Sequence, residues 1–210
     1  ECRVDLCLYN SGGVRANKVY DAPLTYGDFV AEVPFENNII TLDMYGEDIY
    51  RALSYSESTK TETCSWGGYL LWDDDIDVRP APNATDPGDI VVSIGGEPLD
   101  LDRVYRVVTW AGLLNGADGI PAFEEVGIRL AESLGVESGS MSSATFSADG
   151  VPFKILIMRH LCRWRWGQLR ESISFEDMDA DADGCLDAAD VRVALEKFTA
   201  SASSEQEADS

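Results

Sequence analysis

The chain has 210 residues, with 38 Asp and Glu against 16 Lys and Arg, and a formal net charge of −22. A field of that sign repels phosphate, which excludes nucleic acid and anionic membrane surfaces as partners and suits an extracellular or lumenal setting rich in cations. The hydrophobic share, 45%, is enough for the core of one ordinary domain with a small appendage.

In chain order, Val4–Tyr9 is an apolar run that ends in Asn10-Ser11-Gly12-Gly13, a buried strand entering a tight turn. Thr25-Tyr26-Gly27-Asp28 introduces Phe29–Val33. Thr41–Met44 alternates like a strand, and Gly46–Tyr55 has helical spacing through Ile49, Tyr50 and Leu53. Residues 56–65 are rich in Ser, Thr and Glu and are expected as loop. Tyr69–Val78 is strand-like with an acidic middle. Pro80–Gly88 is a loop that carries the glycosylation sequon Asn83-Ala84-Thr85, a weak pointer to the secretory route. Ile90–Ile94 and Val104–Thr109 are β-branched strands, the first followed by a Gly95-Gly96 turn. Asn115–Pro121 is a Gly-rich loop, 135–150 an exposed connection, and Lys154–Leu169 an apolar and basic helix. No stretch is long and apolar enough to span a membrane. The start at Glu1, without Met or an apolar leader, is expected of a piece of a longer protein.

Residues 179–190 read Asp-Ala-Asp-Ala-Asp-Gly-Cys-Leu-Asp-Ala-Ala-Asp, which matches the EF-hand calcium loop almost position by position. Asp179, Asp181 and Asp183 take the first three ligand positions, and Gly184 takes the sharp turn. Cys185 ligates through its backbone carbonyl, and Asp187 acts directly or through a water. Asp190 stands where a Glu usually supplies two oxygens. Its shorter reach predicts weak Ca²⁺ binding with tolerance of Mg²⁺. Beyond this loop, 199–210 is too poor in apolar residues to pack and is expected to be disordered.

Other chemistry is sparse. Cys2, Cys7, Cys64, Cys162 and Cys185 show no CxxC spacing, and His160 is the single histidine, so a zinc site is not expected. The odd count leaves at least one free thiol or a partner outside the chain. No nucleophilic Ser or Cys has a nearby base, and His160 is expected as a solvated helix residue. Met158–Trp166 interleaves Arg with aromatics. It reads either as a last core helix with a basic outer face or as a basic helix folding against the acidic loop.

The motifs Asn10-Ser11-Gly12-Gly13-Val14-Arg15, Thr25-Tyr26-Gly27-Asp28, Val33-Pro34-Phe35, Gly46, Gly67-Gly68-Tyr69, Tyr105-Arg106-Val107-Val108-Thr109 and Asn115-Gly116-Ala117-Asp118-Gly119 occur in that order. Together they resemble the C-terminal, substrate-binding domain of the 5′-nucleotidase family over roughly the first three-fifths of the chain. The resemblance implies a domain that grips a nucleotide or nucleoside while a separate N-terminal metallophosphatase domain holds two metals and cleaves the ester. It implies that Asn10 and Gly13 line the nucleoside pocket, Arg15 holds a phosphate, Phe35 forms one face of a clamp on the base, and Asp118 accepts from ribose hydroxyls. Gly112 stands where the family has the second clamp aromatic, with Trp110 two residues before it.

The resulting expectation is an α/β (α+β) fold of mixed sheets layered with helices, plus a C-terminal helical EF-hand. The boundaries expected are 1–170 for the nucleotidase-like domain, 171–198 for the EF-hand and 199–210 for the tail. The function expected is the nucleotide-recognition domain of a 5′-nucleotidase-type hydrolase in nucleotide catabolism, placed extracellularly or in the secretory lumen. The alternative is a calcium-responsive binding module with a decayed nucleotide pocket and no enzymatic role.

Overall fold

The computed structural model of the chain describes residues 3–16, 18–21, 24–60, 67–136 and 150–197. The tail at 199–210, Cys2, Cys64 and most of the connection at 135–150 lie outside the described residues. The chain divides into two compact units, Glu1–Ile155 and Leu156–Ser210.

The first unit is mixed α/β, as the sequence predicts. Its larger sheet holds β1 (Leu6–Asn10), β2 (Asn38–Tyr45), β3 (Leu70–Trp72), β7 (Val104–Trp110) and β8 (Val151–Pro152), in the order β3-β1-β7-β2-β8. β7 is the central strand because alternation makes one of its faces wholly buried: Tyr105, Val107 and Thr109 are inside. It pairs in parallel with β1, with Leu6 opposite Val107 and Leu8 opposite Thr109, and antiparallel with β2. The other pairs of this sheet are antiparallel. A second sheet, β4 (Ile76–Pro80), β5 (Ile90–Ile94) and β6 (Glu97–Pro98), is antiparallel throughout.

Three helices attach to this frame. α1 (Tyr26–Glu32) starts at a capping box, with the Thr25 hydroxyl accepting from the Asp28 N–H and the Asp28 carboxylate accepting from the Thr25 N–H. α2 (Gly46–Ser58) buries Ile49, Ala52 and Leu53 in the same core cluster as Leu6, Leu8 and Val107. α3 (Pro121–Ser133) adds Phe123 and Val126 to it. The buried Asp48 of α2 takes a short ion pair from Arg129 of α3. Arg51 and Glu125 add a bidentate pair on the surface, which is worth little by itself.

Several elements depart from the expectation. The stretch 69–78 is not one strand: β3 pairs with β1, and β4 pairs with β5 in the other sheet. Asp73 drives the break. Its carboxylate accepts the Cys7 N–H at 2.6 Å and the Asp75 N–H at 3.3 Å, so the side chain supplies a turn in place of a ladder. The expected loop at 56–65 is helical as far as Ser58, where the Ser58 and Thr59 hydroxyls donate to the Tyr55 carbonyl. The expected loop at 115–121 is mostly 3-10 turns, Ala111–Asn115 and Ala117–Gly119. α3 was not expected, although Pro121 in its first turn and the spacing of Phe123, Val126 and Leu130 signal it.

The second unit contains most of α4 (Phe153–Ser172), α5 (Phe175–Met178) and a helix over 188–197. Its core is small: Leu169, Met178 and Ala194 are buried, with Trp166, Ile173, Leu186 and Leu195 packed around them. The last turns of α4 thus behave as a core helix, while Arg159, His160, Arg163 and Arg170 face solvent.

α3 can lie against the turn at 111–115 only because Gly127 has no side chain. A Cβ there would sit 2.0 Å from the Leu114 carbonyl oxygen. Gly127→Ala is therefore expected to destabilise the chain by about 1–3 kcal/mol through overpacking, more than the gain of up to about 1 kcal/mol in helix propensity. Urea denaturation checks this, and an unchanged or raised midpoint would contradict the close approach.

Candidate functional site

β1 and β7 run in parallel, so their carboxyl ends share one edge of the sheet, the usual place for a ligand in such sheets. Asn10 is the last residue of β1 and is buried. Its amide Nδ2 donates to the Asp118 carboxylate at 2.9 Å, across 108 residues of sequence. Asp118 follows β7 in the second 3-10 turn and holds φ at +61°, a strained value for a residue that is not Gly. Gly116 and Gly119 on either side also have positive φ and shape the turn that presents it.

The same edge has unsatisfied polar atoms. Among the described residues, Asn10 Oδ1, Thr109 Oγ1 and Asn115 Oδ1 are buried without a protein partner. Asn115 uses its amide nitrogen to bond the Ala111 carbonyl at 3.3 Å. Buried oxygens of this kind normally find a donor; Thr109 lies on the wholly buried face of β7, while Asn10 Oδ1 stands beside Asp118 at the strand end. Thr109 and Asn115 both lie in the sequence motifs, which give neither side chain a role. Thr109 shares a β-branched run with core residues and gives no pattern of its own.

Arg15 and Phe35 form a second pair. The Arg15 guanidinium lies 5.1 Å from the centroid of the Phe35 ring, within cation–π range. Both residues are exposed, but their backbones are anchored. The Arg15 N–H donates to the Glu32 carbonyl at 2.8 Å, and the Ala16 N–H to the Glu32 carboxylate at 3.2 Å. Tyr20 donates its hydroxyl to the same carboxylate. Desolvation and then that bond push the Tyr20 phenol up to about 12. On the other side, Lys154 Nζ donates to the Pro34 carbonyl at 3.1 Å and to the Glu36 carboxylate at 2.7 Å, bracketing Phe35. Lys154 gave no signal in the sequence, because it is 118 residues from Glu36.

Gly13 is buried beneath the Tyr9 ring, where a Cβ would come within 2.3 Å of the phenol oxygen. Tyr9 in turn stacks on Phe153 at 4.9 Å and accepts from Asn37 Nδ2 at 2.9 Å. Gly13 thus makes room for packing from within the protein. Gly12 lets the backbone approach Gly67, whose carbonyl accepts the Gly12 N–H at 2.7 Å.

Gly112 is buried, and the Trp110 indole lies where its side chain would be: a Cβ would meet Trp110 Cζ2 at 2.3 Å. Trp110 itself packs on the core. An aromatic at 112 therefore cannot be added without moving Trp110.

In the second unit, carboxylate oxygens of Asp179, Asp181 and Asp183 lie within 4.8 Å of one another. One cation at the usual Ca–O distance of about 2.4 Å can reach oxygens at that spacing. Gly184 turns the chain with φ +82°, and Ala182 also has positive φ, at +56°. Asp190 is buried; its carboxylate accepts the Asp187 N–H at 3.0 Å and the Ala180 N–H at 2.9 Å, and these bonds hold it below the usual carboxylate range. Asp187 accepts the Ala189 and Asp190 N–H groups and caps the helix over 188–197. The Cys185 thiol is exposed and free, and its N–H donates to Asp183 at 2.7 Å. The sequon residue Asn83 lies on an exposed turn with φ +63°.

The family model for the 5′-nucleotidase C-terminal domain matches residues 1–125. A 5′-nucleotidase of Vibrio cholerae is 30% identical over 119 residues, 57% of this chain and 20% of that protein. A cell wall protein of Listeria monocytogenes is 30% identical over 133 residues, 60% of this chain and 16% of that protein. Among solved structures, a 5′-nucleotidase precursor from Thermus thermophilus matches with a TM-score of 0.51 and 28% identity, covering 58% of this chain and 24% of that one. The chain thus spans about a fifth of the length of the curated relatives it matches.

The indole over Gly112 gives a direct test. Gly112→Phe is expected to cost about 1–3 kcal/mol of stability by displacing Trp110 from the core. The near-ultraviolet circular dichroism of the Trp should change with it. A variant as stable as the original, with an unaltered spectrum, would show that the position is free.

Proposed function

This chain belongs to the family of 5′-nucleotidase C-terminal domains, and we propose that its first unit is the nucleotide-recognition part of a larger phosphohydrolase. The observation that supports this best is the hydrogen bond from Asn10 to Asp118 at the shared ends of β1 and β7. It occupies one Asp118 oxygen and orients the carboxylate, leaving acceptor capacity for the paired hydroxyls of a ribose. Asn10 Oδ1 adds a buried acceptor beside it. Arg15 suits a phosphate, because a guanidinium offers a planar fork of donors. The exposed ring of Phe35 suits stacking on a base.

In this reading the chain binds and orients the nucleotide, and a separate N-terminal domain supplies the metal-activated water that cleaves the ester. An extracellular or lumenal setting agrees with the acidic charge, the exposed sequon and the cell wall relative. The second unit is assigned a divalent-cation site, an EF-hand with Asp179, Asp181 and Asp183 as side-chain ligands, the Cys185 carbonyl as a backbone ligand, and Asp187 and Asp190 closing the loop. Asp190 must share its oxygens with two backbone N–H groups, and it is shorter than Glu.

Two measurements test these assignments on the full chain. Calorimetry with AMP is expected to show binding that Asp118→Asn weakens by about 1.5–3 kcal/mol, roughly tenfold to a hundredfold, since an amide keeps the Asn10 bond and loses the charge. No binding of AMP or adenosine to the wild type would favour the decayed-pocket reading. Calcium titration is expected to give a Kd on the order of 10⁻⁴–10⁻³ M, tightened by Asp190→Glu. Submicromolar affinity in the wild type would overturn Asp190 as the limiting ligand.

A further inference from the structure

The contact between Arg15 and Phe35 carries a consequence for ligand choice. Both residues are ligand contacts in the reading above, and here they occupy each other: the guanidinium rests on a ring face to which a base would stack. We propose that Arg15 is a specificity-determining residue that makes the site discriminate against nucleosides lacking a phosphate. The proposal rests on the assignment of Phe35 to the base and Arg15 to the phosphate.

The physical argument is a competition for one guanidinium. Without a phosphate, the Arg15 charge finds its favourable surface on the Phe35 ring, and no carboxylate of the described residues forms an ion pair with it. A bare nucleoside that stacks on that face must displace the guanidinium and offers it nothing in return. A nucleotide brings an anion, and a charge-assisted guanidinium–phosphate bond is stronger than an exposed cation–π contact. The phosphate therefore draws Arg15 away and opens the ring in the same event.

The surroundings make this a local exchange. The backbone at Arg15 is tied to Glu32, and beside Phe35 Lys154 Nζ donates to the backbone carbonyl of Pro34 and to the side-chain carboxylate of Glu36. Val33, two residues before Phe35, is buried. The long Arg15 side chain is thus free to swing while both anchor points stay in place. The exchange also separates substrate from product in a phosphate-releasing reaction. The product nucleoside has lost the group that held Arg15 off the ring, so recapping of Phe35 favours its release.

The test is calorimetry of the full chain with adenosine and with AMP, on wild type, Arg15→Ala, Phe35→Leu and the double variant. Both side chains are exposed, and thermal melts check that each variant is folded. Arg15→Ala is expected to bind AMP tenfold or more weakly and adenosine about two- to fivefold more tightly. The gain for adenosine should vanish when Arg15→Ala is made on the Phe35→Leu background, which assigns it to the ring. Weaker AMP binding with adenosine affinity unchanged or reduced would overturn the discrimination while leaving the nucleotide site intact. If neither ligand binds wild type or Arg15→Ala, the site assignment fails and the proposal fails with it.

Discussion

The parallel pairing of β1 with β7 is the constraint on which the site depends. The two strands are almost 100 residues apart in the chain, and their neighbours in the sheet are all antiparallel. A parallel pair puts two carboxyl ends on one edge, so the turn after Asn10 and the turns after Trp110 emerge side by side. An antiparallel pairing of the same strands would send Asn10 and Asp118 to opposite ends. Closing so long a loop has an entropic cost that grows only slowly with length, and burial of Leu6, Leu8 and Val107 offsets it.

The turns on this edge are held where they are by packing that allows little slack. α3 lies against the Leu114 carbonyl because Gly127 has no side chain, and Phe123 at the start of α3 is fully buried. The ion pair from Arg129 to the buried Asp48 ties α3 to α2. Asp118 can keep its strained backbone because the neighbouring turns are fixed from both sides. Ligand-facing groups on a rigid edge lose less conformational entropy on binding, which is the value of spending core packing on a loop.

Much of this architecture was legible in the sequence, and the exceptions have a common cause. Strand β2 and helix α2 follow from local periodicity, β1 from a continuous apolar run that is largely buried, and β5 and β7 from β-branched runs. The break in 69–78 was not legible, because it depends on Asp73 accepting the N–H of Cys7, 66 residues away. Helix α3 carried its signal in Pro121 and its apolar spacing, obscured by the Gly-rich stretch before it. At the site, motif order indicated Asn10, Arg15, Phe35 and Asp118, but not which would touch. The partnerships of Asn10 with Asp118, of Arg15 with Phe35 and of Lys154 with Phe35's neighbours are tertiary facts that no local pattern encodes.

The charge of the chain sharpens the role of the few cations near Phe35. A net charge of −22 opposes a phosphate group at long range. At physiological ionic strength the Debye length is about 8 Å, so that repulsion is largely screened between exposed groups, and contacts at hydrogen-bond distance decide the outcome. Within that range one guanidinium at contact distance counts for more than the average field. The same acidity raises the local concentration of divalent cations, which suits the weak affinity proposed for the loop at 179–190. On the proposed assignment a strongly acidic chain still receives an anion, because the Arg15 guanidinium would meet the phosphate at contact distance while the negative side chains act mainly through the screened average field.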